Sequence, residues 1–261
     1  MAITLIGYYC FNDNDTATVR DFSVQGRNSS TVTDLTISTD PGAVGKVGVF
    51  NGTSAYVNLG DVAAFDSLTA FSIVCKFKTD AIGNRQCLSS RVDHHIFEIM
   101  ASGVLKITLY GAFTQSVQLN SNVLVANRWY TVVMTWNGTT GYIYLDNVDT
   151  FHYDALSDTL NNNANSIYIG WATPDIYFDG MVEMISYYNR AFDAQEIESV
   201  LESASGLKYE IADAKIQTGD LMLTNSGGRE ICIWSEEYHE RLFSDSEDHQ
   251  WPDGTAAIWP N

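Results

Sequence analysis

Cations are scarce in this chain. Lys and Arg total 14 against 32 Asp and Glu, a formal net charge of -18. Nucleic acid is gripped through a positive footprint, and an anionic membrane surface through the same kind of charge, so both partner classes are disfavoured. Such acidity has a plain reading, solubility, and a second one, bound cations. Cysteine is scarce too. Cys10, Cys75, Cys87 and Cys232 lie far apart and form no CxxC pair, so neither a disulfide framework nor a zinc site is legible. In strand-like runs a free thiol acts as a small hydrophobe, and the chain reads as one made in a reducing compartment. No apolar run approaches the roughly 18 residues that span a bilayer. Met1 to Gly7 shows neither the basic nor the apolar part of an export signal. GxSxG, P-loop, HExxH and Cys-His-Asn arrangements are all missing, and helical periodicity is almost absent before residue 193.

What the sequence has is short extended runs. From Trp129 to Asp146, Tyr130, Val132, Met134 and Trp136 alternate with Thr131, Val133 and Thr135; Asn137 to Gly141 then reverses the chain, and Tyr142-Ile143-Tyr144-Leu145 returns. Period-two alternation around a glycine turn predicts an antiparallel hairpin, which needs a larger sheet around it to be stable. Phe71, Ile73, Cys75 and Phe77 likewise oppose Ser72, Val74, Lys76 and Lys78, predicting one buried face and one largely wet face. Residues 3–11, 47–50, 55–59, 86–90, 96–100, 105–109, 116–119, 166–171 and 181–188 continue the series. Val19 to Asp40 offers only Gly26 as an obvious turn. The fold class is therefore all-β, a two-sheet antiparallel sandwich with one short helix and a C-terminal extension. Asp193 and Glu196 form a capping box for that helix, Ile197, Val200 and Leu201 share its apolar face, and Gly206 is placed to stop it. It should lie against the sandwich edge. The boundaries are 1–208 for the sandwich and 209–261 for the extension. There eleven acidic residues face only Lys215, Arg229 and Arg241, and Leu221 to Trp234 reads as a small hairpin.

In chain order, Phe11, Asp21-Phe22-Ser23, Gly45 to Gly52, Tyr56-Val57, Phe71-Ser72-Ile73, the 129–146 hairpin, Ile169-Gly170, Phe178-Asp179-Gly180 and Tyr188 to Phe192 resemble the laminin-G-like, concanavalin A-like jelly rolls over about residues 8–201. The resemblance implies that jelly-roll fold and, as often in the family, a structural calcium held by Asp13, Asp21, Asn51 and Asp179 with Glu183 nearby. Calcium takes six to eight oxygen ligands. The competing reading of these acids is Asx turns and solvated loops. Where the family has an acidic pair after Phe-Asp-Gly, this chain has Glu183 followed by Met184, one carboxylate fewer.

Sugar sites need flat aromatic faces and planar polar groups. Trp171, Asp175 and Tyr177 offer that mixture, and so do Arg91, Asp93 and His94. Against this stand Trp171 as a core residue at a strand end and His94-His95 as ordinary loop residues; Trp129 and Trp136 read as packing. The glycoside hydrolases of the same sandwich need two carboxylates about a common groove, whereas Glu98 and Glu183 each stand alone. The expectation is a non-catalytic recognition module for a glycan or host surface, a bacteriophage virion decoration or tail-fibre component made in the cytoplasm. Its extension would dock onto other virion subunits, and a homo-oligomer is among the arrangements left open. The alternative is a purely structural virion protein.

Overall fold

The structure is a computed structural model that describes residues 5–13, 15–111, 114–118, 124–146, 148–154, 159–202, 221–224 and 230–233. Its strands are β1 (Leu5–Cys10), β2 (Thr31–Thr33), β3 (Thr36–Thr39), β4 (Lys46–Asn51), β5 (Tyr56–Gly60), β6 (Phe71–Thr79), β7 (Gln86–Arg91), β8 (His95–Ile99), β9 (Leu105–Tyr110) and β10 (Thr114–Gln118). They continue as β11 (Trp129–Trp136), β12 (Thr140–Leu145), β13 (Val148–Asp154), β14 (Ile167–Ile169), β15 (Trp171–Ala172), β16 (Ile176–Tyr177), β17 (Asp179–Tyr188), β18 (Leu221–Thr224) and β19 (Glu230–Ile233). The helix is α1 (Ala194–Glu202).

The large sheet runs β13-β12-β11-β6-β17-β4-β3, with β1 also on β17, and the small sheet runs β10-β9-β8-β7-β14-β5-β2. All the strand pairs are antiparallel. β11 lies on β6 in the register Tyr130–Phe77, Val132–Cys75 and Met134–Ile73, which puts both expected apolar sets on one face. That face meets Val57, Leu88, Phe97, Ile107 and Ile169 of the small sheet in one core. Two sheets sharing one dry interior is how a strand buries alternate residues. Gly180 has φ +146 and lies so close to the Lys78 carbonyl oxygen that a methyl group would collide with it. Glycine is therefore required where β17 turns onto β6. Cys10, Cys75 and Cys87 are buried and in no disulfide among the described residues. No helix among the described residues is long and apolar enough to cross a membrane.

The back of the large sheet differs from expectation. Ser72, Val74 and Lys76 are buried rather than wet. Helix α1 supplies part of the cover: Ile197, Val200 and Leu201 pack with Val74, Val133 and Met184, so it sits on the sheet's face and not at its edge. The capping box forms reciprocally, the Glu196 N–H donating to Asp193 Oδ1 at 2.9 Å and the Asp193 N–H to Glu196 Oε2 at 2.9 Å. A strap at Asp40–Val44 adds to it. Asp40 pairs with Lys78 and accepts from the Trp129 indole N–H at 2.7 Å, and Val44 N–H donates to Glu183 Oε1 at 3.2 Å. Trp129 thus packs on this outer face, opposite Trp136 in the core. Strands β2 and β3 fall in the stretch from Val19 to Asp40, where only the Gly26 turn was expected, and β18 pairs with β19 as the expected C-terminal hairpin. Gly206 lies outside the described residues.

Candidate functional site

Alternation decides what the small sheet shows to solvent. Val57, Leu59, Ile167 and Ile169 point into the core, so Tyr56 and Tyr168 face outward and stay half-buried. Just after β14 the chain forms the β15–β16 hairpin, with Trp171 opposite Tyr177 and Ala172 opposite Ile176. Its main chain is fixed to β7, since the Trp171 carbonyl accepts from Ser90 Oγ at 2.6 Å and from Cys87 Sγ at 3.3 Å. Trp171 is brought against the two tyrosines, 4.6 Å from Tyr168 and 6.2 Å from Tyr56, with Tyr56 and Tyr168 5.8 Å apart between centroids. The indole N–H is buried and has no acceptor among the described residues. Asp175 is exposed at the hairpin tip with φ +49. Trp171, Asp175 and Tyr177 therefore belong to one surface, extended by Tyr56 and Tyr168. The last two carried a signal in the sequence, an aromatic alternating with aliphatics, but it gives no hint of which partners register places beside them.

Arg91 and His94 belong elsewhere. Arg91 has 0% side-chain exposure, pairs with Asp61 and Asp66 at 2.9 Å each, and donates to the Asn163 and Asn165 carbonyls. It ties two loops together at one end of the sandwich and presents no hydrogen-bond fork to solvent. His94 and His95 are fully buried. The carbonyl of Phe65 can only accept, so His94 Nε2, at 2.8 Å, carries the proton. His94 Nδ1 then accepts from His95 Nδ1–H at 2.9 Å, His95 Nε2 accepts from Ser89 Oγ at 3.1 Å, and Ser89 accepts from Tyr187 at 2.8 Å. Burial pushes His94 down to about 4 and His95 well below its ordinary value, with Arg91 acting in the same direction, so both rings are neutral. Asp93 alone of that group is exposed, at φ +56.

Of the five residues expected to hold calcium, Asn51 and Asp179 are brought side by side as partners between β4 and β17, but each of the others has partners of its own. Asp21 is spent on backbone N–H groups, accepting from Tyr8 and Ser23 at 2.9 Å and from Arg27 at 2.8 Å. Asn51 Oδ1 caps its own turn, taking the N–H groups of Thr53, Ser54 and Ala55. Asp13 pairs with Arg20 at 3.2 Å, and Glu183 with Lys76 at 2.6 Å. Burial, and then the neighbouring Asp80, hold the Asp179 carboxyl above the usual carboxylate range. Among the described residues no three His, Cys, Asp or Glu side chains are grouped to hold a metal ion. Saturated acceptors and cation-paired acids do not fit a calcium cage. The two lone strand acids are also separated, Glu98 lying in the small sheet beside Arg85 and Lys106 and Glu183 in the large one.

The model of the Concanavalin A-like lectin/glucanases superfamily matches residues 51–198. The chain belongs to that superfamily. This concanavalin A-like sandwich resembles domain 4 of AbnA, an extracellular arabinanase from Geobacillus stearothermophilus solved with arabinotriose. The TM-score is 0.58 at 14% identity, over 76% of this chain and 98% of that one. It also resembles the binding domain of Paraclostridial Mosquitocidal Protein 1, with TM-score 0.64 and 13% identity over 86% of this chain and 62% of that one. The binding domain of botulinum neurotoxin DC, solved with SialylT, gives 0.54 and 14% over 74% and 52%. The chain thus spans only part of the length of the two toxin domains, and at such identities the likeness is one of fold. No curated protein matches the chain by sequence.

Proposed function

We propose that this sandwich is a non-catalytic carbohydrate-recognition module whose contact face is the outer surface of the small sheet. One observation carries the reading: Tyr56, Tyr168 and Trp171 form a contiguous, partly exposed aromatic surface, its main chain pinned to β7 and its rim supplied by Asp175 and Tyr177. Aromatic rings offer polarisable faces to the C–H side of a sugar, and a few fixed polar groups orient the hydroxyls. Pinning the platform beforehand lowers the ordering cost of binding. Further support comes from similar folds solved with arabinotriose or SialylT. The non-catalytic part is supported by Glu98 and Glu183, which lie in different sheets, each beside cations, where glycoside hydrolysis needs two carboxylates about one bond.

On the same reading the module is displayed on a virion or comparable assembly, with residues 209–261 as its docking arm. The buried thiols of Cys10, Cys75 and Cys87 support this, because they pack without disulfides in a sandwich that can so be completed in a reducing compartment.

A glycan array followed by calorimetry tests the recognition reading. Trp171→Ala should weaken binding of any array hit by at least about tenfold, or roughly 1.4 kcal/mol, with the circular dichroism unchanged. Equal affinity in that variant moves the site elsewhere. Silence across the array favours the purely structural role.

A further inference from the structure

We infer that the aromatic face selects neutral glycans and rejects those carrying a carboxylate or sulfate, an inference resting on that face being the sugar site. Sequence and structure supply the argument independently. Between Arg128 and Arg190 the chain has no Lys or Arg at all, and this tract contains the whole β14–β15–β16 segment along with Asp175 and Asp179. Tyr56 to Gly60, the strand beside it, is equally free of cations. The strands of the small sheet and the turn before β7 carry three cationic side chains, Arg85, Arg91 and Lys106. Each is committed. Arg91 is wholly buried against Asp61 and Asp66, Arg85 is paired with Glu98, and Lys106 lies 3.9 Å from the same carboxylate.

An anionic sugar is normally held by a guanidinium fork or an ammonium group that matches its charge. None is free among the described residues of this face. The exposed carboxylate of Asp175 stands at its rim, in a molecule whose net charge is -18. A sialylated, uronic or sulfated ligand would approach like charge with no compensating partner, whereas a neutral one loses nothing by it. Exposed charges act over a Debye length of about 8 Å at physiological salt, so the discrimination should fade as salt is added.

Matched probes decide it: lactose against 3′-sialyllactose, and neutral against 6-sulfated N-acetyllactosamine, titrated into the full chain at low and high sodium chloride. Neutral members should bind at least tenfold tighter at low salt, and the gap should narrow at high salt. Asp175→Asn keeps a residue type that tolerates positive φ and should raise the relative affinity of the sialylated and sulfated members several-fold. Equal or tighter binding of the charged member by the unaltered protein, lost in Trp171→Ala, overturns the charge selectivity while leaving the sugar site standing. Binding that ignores Trp171→Ala, or no binding by any probe here or on the wider array, overturns the sugar site and this inference with it.

Discussion

The pair His94 and His95 shows how much one residue's surroundings decide. In the sequence the two read as loop residues; in the fold they are links in a buried chain from the Phe65 carbonyl to the Tyr187 hydroxyl. Every donor in that chain has one acceptor only if both rings are neutral. A proton added to His94 would set two N–H groups against each other at the Nδ1–Nδ1 contact, and one added to His95 would remove Nε2 as the acceptor of the Ser89 hydroxyl. Burial holds His94 down to about 4, so as the pH falls the unfolded chain takes up protons first. The part of the stability that depends on a neutral His94 is therefore fully present above about 6.5 and falls away between about 6.5 and 4, by about 3 kcal/mol. Urea denaturation at pH 7.5 and at pH 4.5 measures the loss. It should shrink in a His94→Gln variant, and an unchanged loss there would assign the acid sensitivity to other groups.

At the scale of elements, helix α1 is the clearest case of local sequence and tertiary packing agreeing. Its capping box satisfies two backbone N–H groups and sets the first turn, and its apolar stripe then falls on Val74, Val133 and Met184. Asp193→Ala should lower unfolding stability by about 1 kcal/mol in a urea titration, leaving the sheet signal intact in the folded baseline. No change would mean that packing alone holds the helix. Strands with strict alternation, β6 and β11, were legible because one face had to be dry. Strands β2 and β3 were not, since each offers one apolar residue, Val32 or Ile37, between threonines and serine at the end of its sheet, too short an alternation to stand out. Lys76 marks a related limit. A cation at an alternating position reads as solvent-facing, yet Glu183, the strap and Trp129 cover it. Part of the aromatic face was legible in Trp171, Asp175 and Tyr177, which are close in sequence. Tyr56 joins them from more than a hundred residues away, through strand order, and alternation does not specify strand order. Arg91 misled for the same reason, its partners Asp61, Asp66, Asn163 and Asn165 all being distant in sequence.

For the whole molecule, the proposed docking role of residues 209–261 makes a simple demand on solution mass. If the extension joins copies of this chain, light scattering of the full chain should give a multiple of 28.9 kDa that falls as salt or dilution weakens the contact. A mass of one chain at all concentrations would leave docking to a different partner. The two sheets also differ in how they are covered. The large one is closed behind by α1 and the Asp40–Val44 strap, while Tyr56, Asn58, Tyr168 and Ile96 of the small one remain partly open. The protein accordingly has a front and a back. Held by its back or its rim, each copy in a layer would turn the same three rings toward whatever approaches, and contacts too feeble to last singly would reinforce one another across the array.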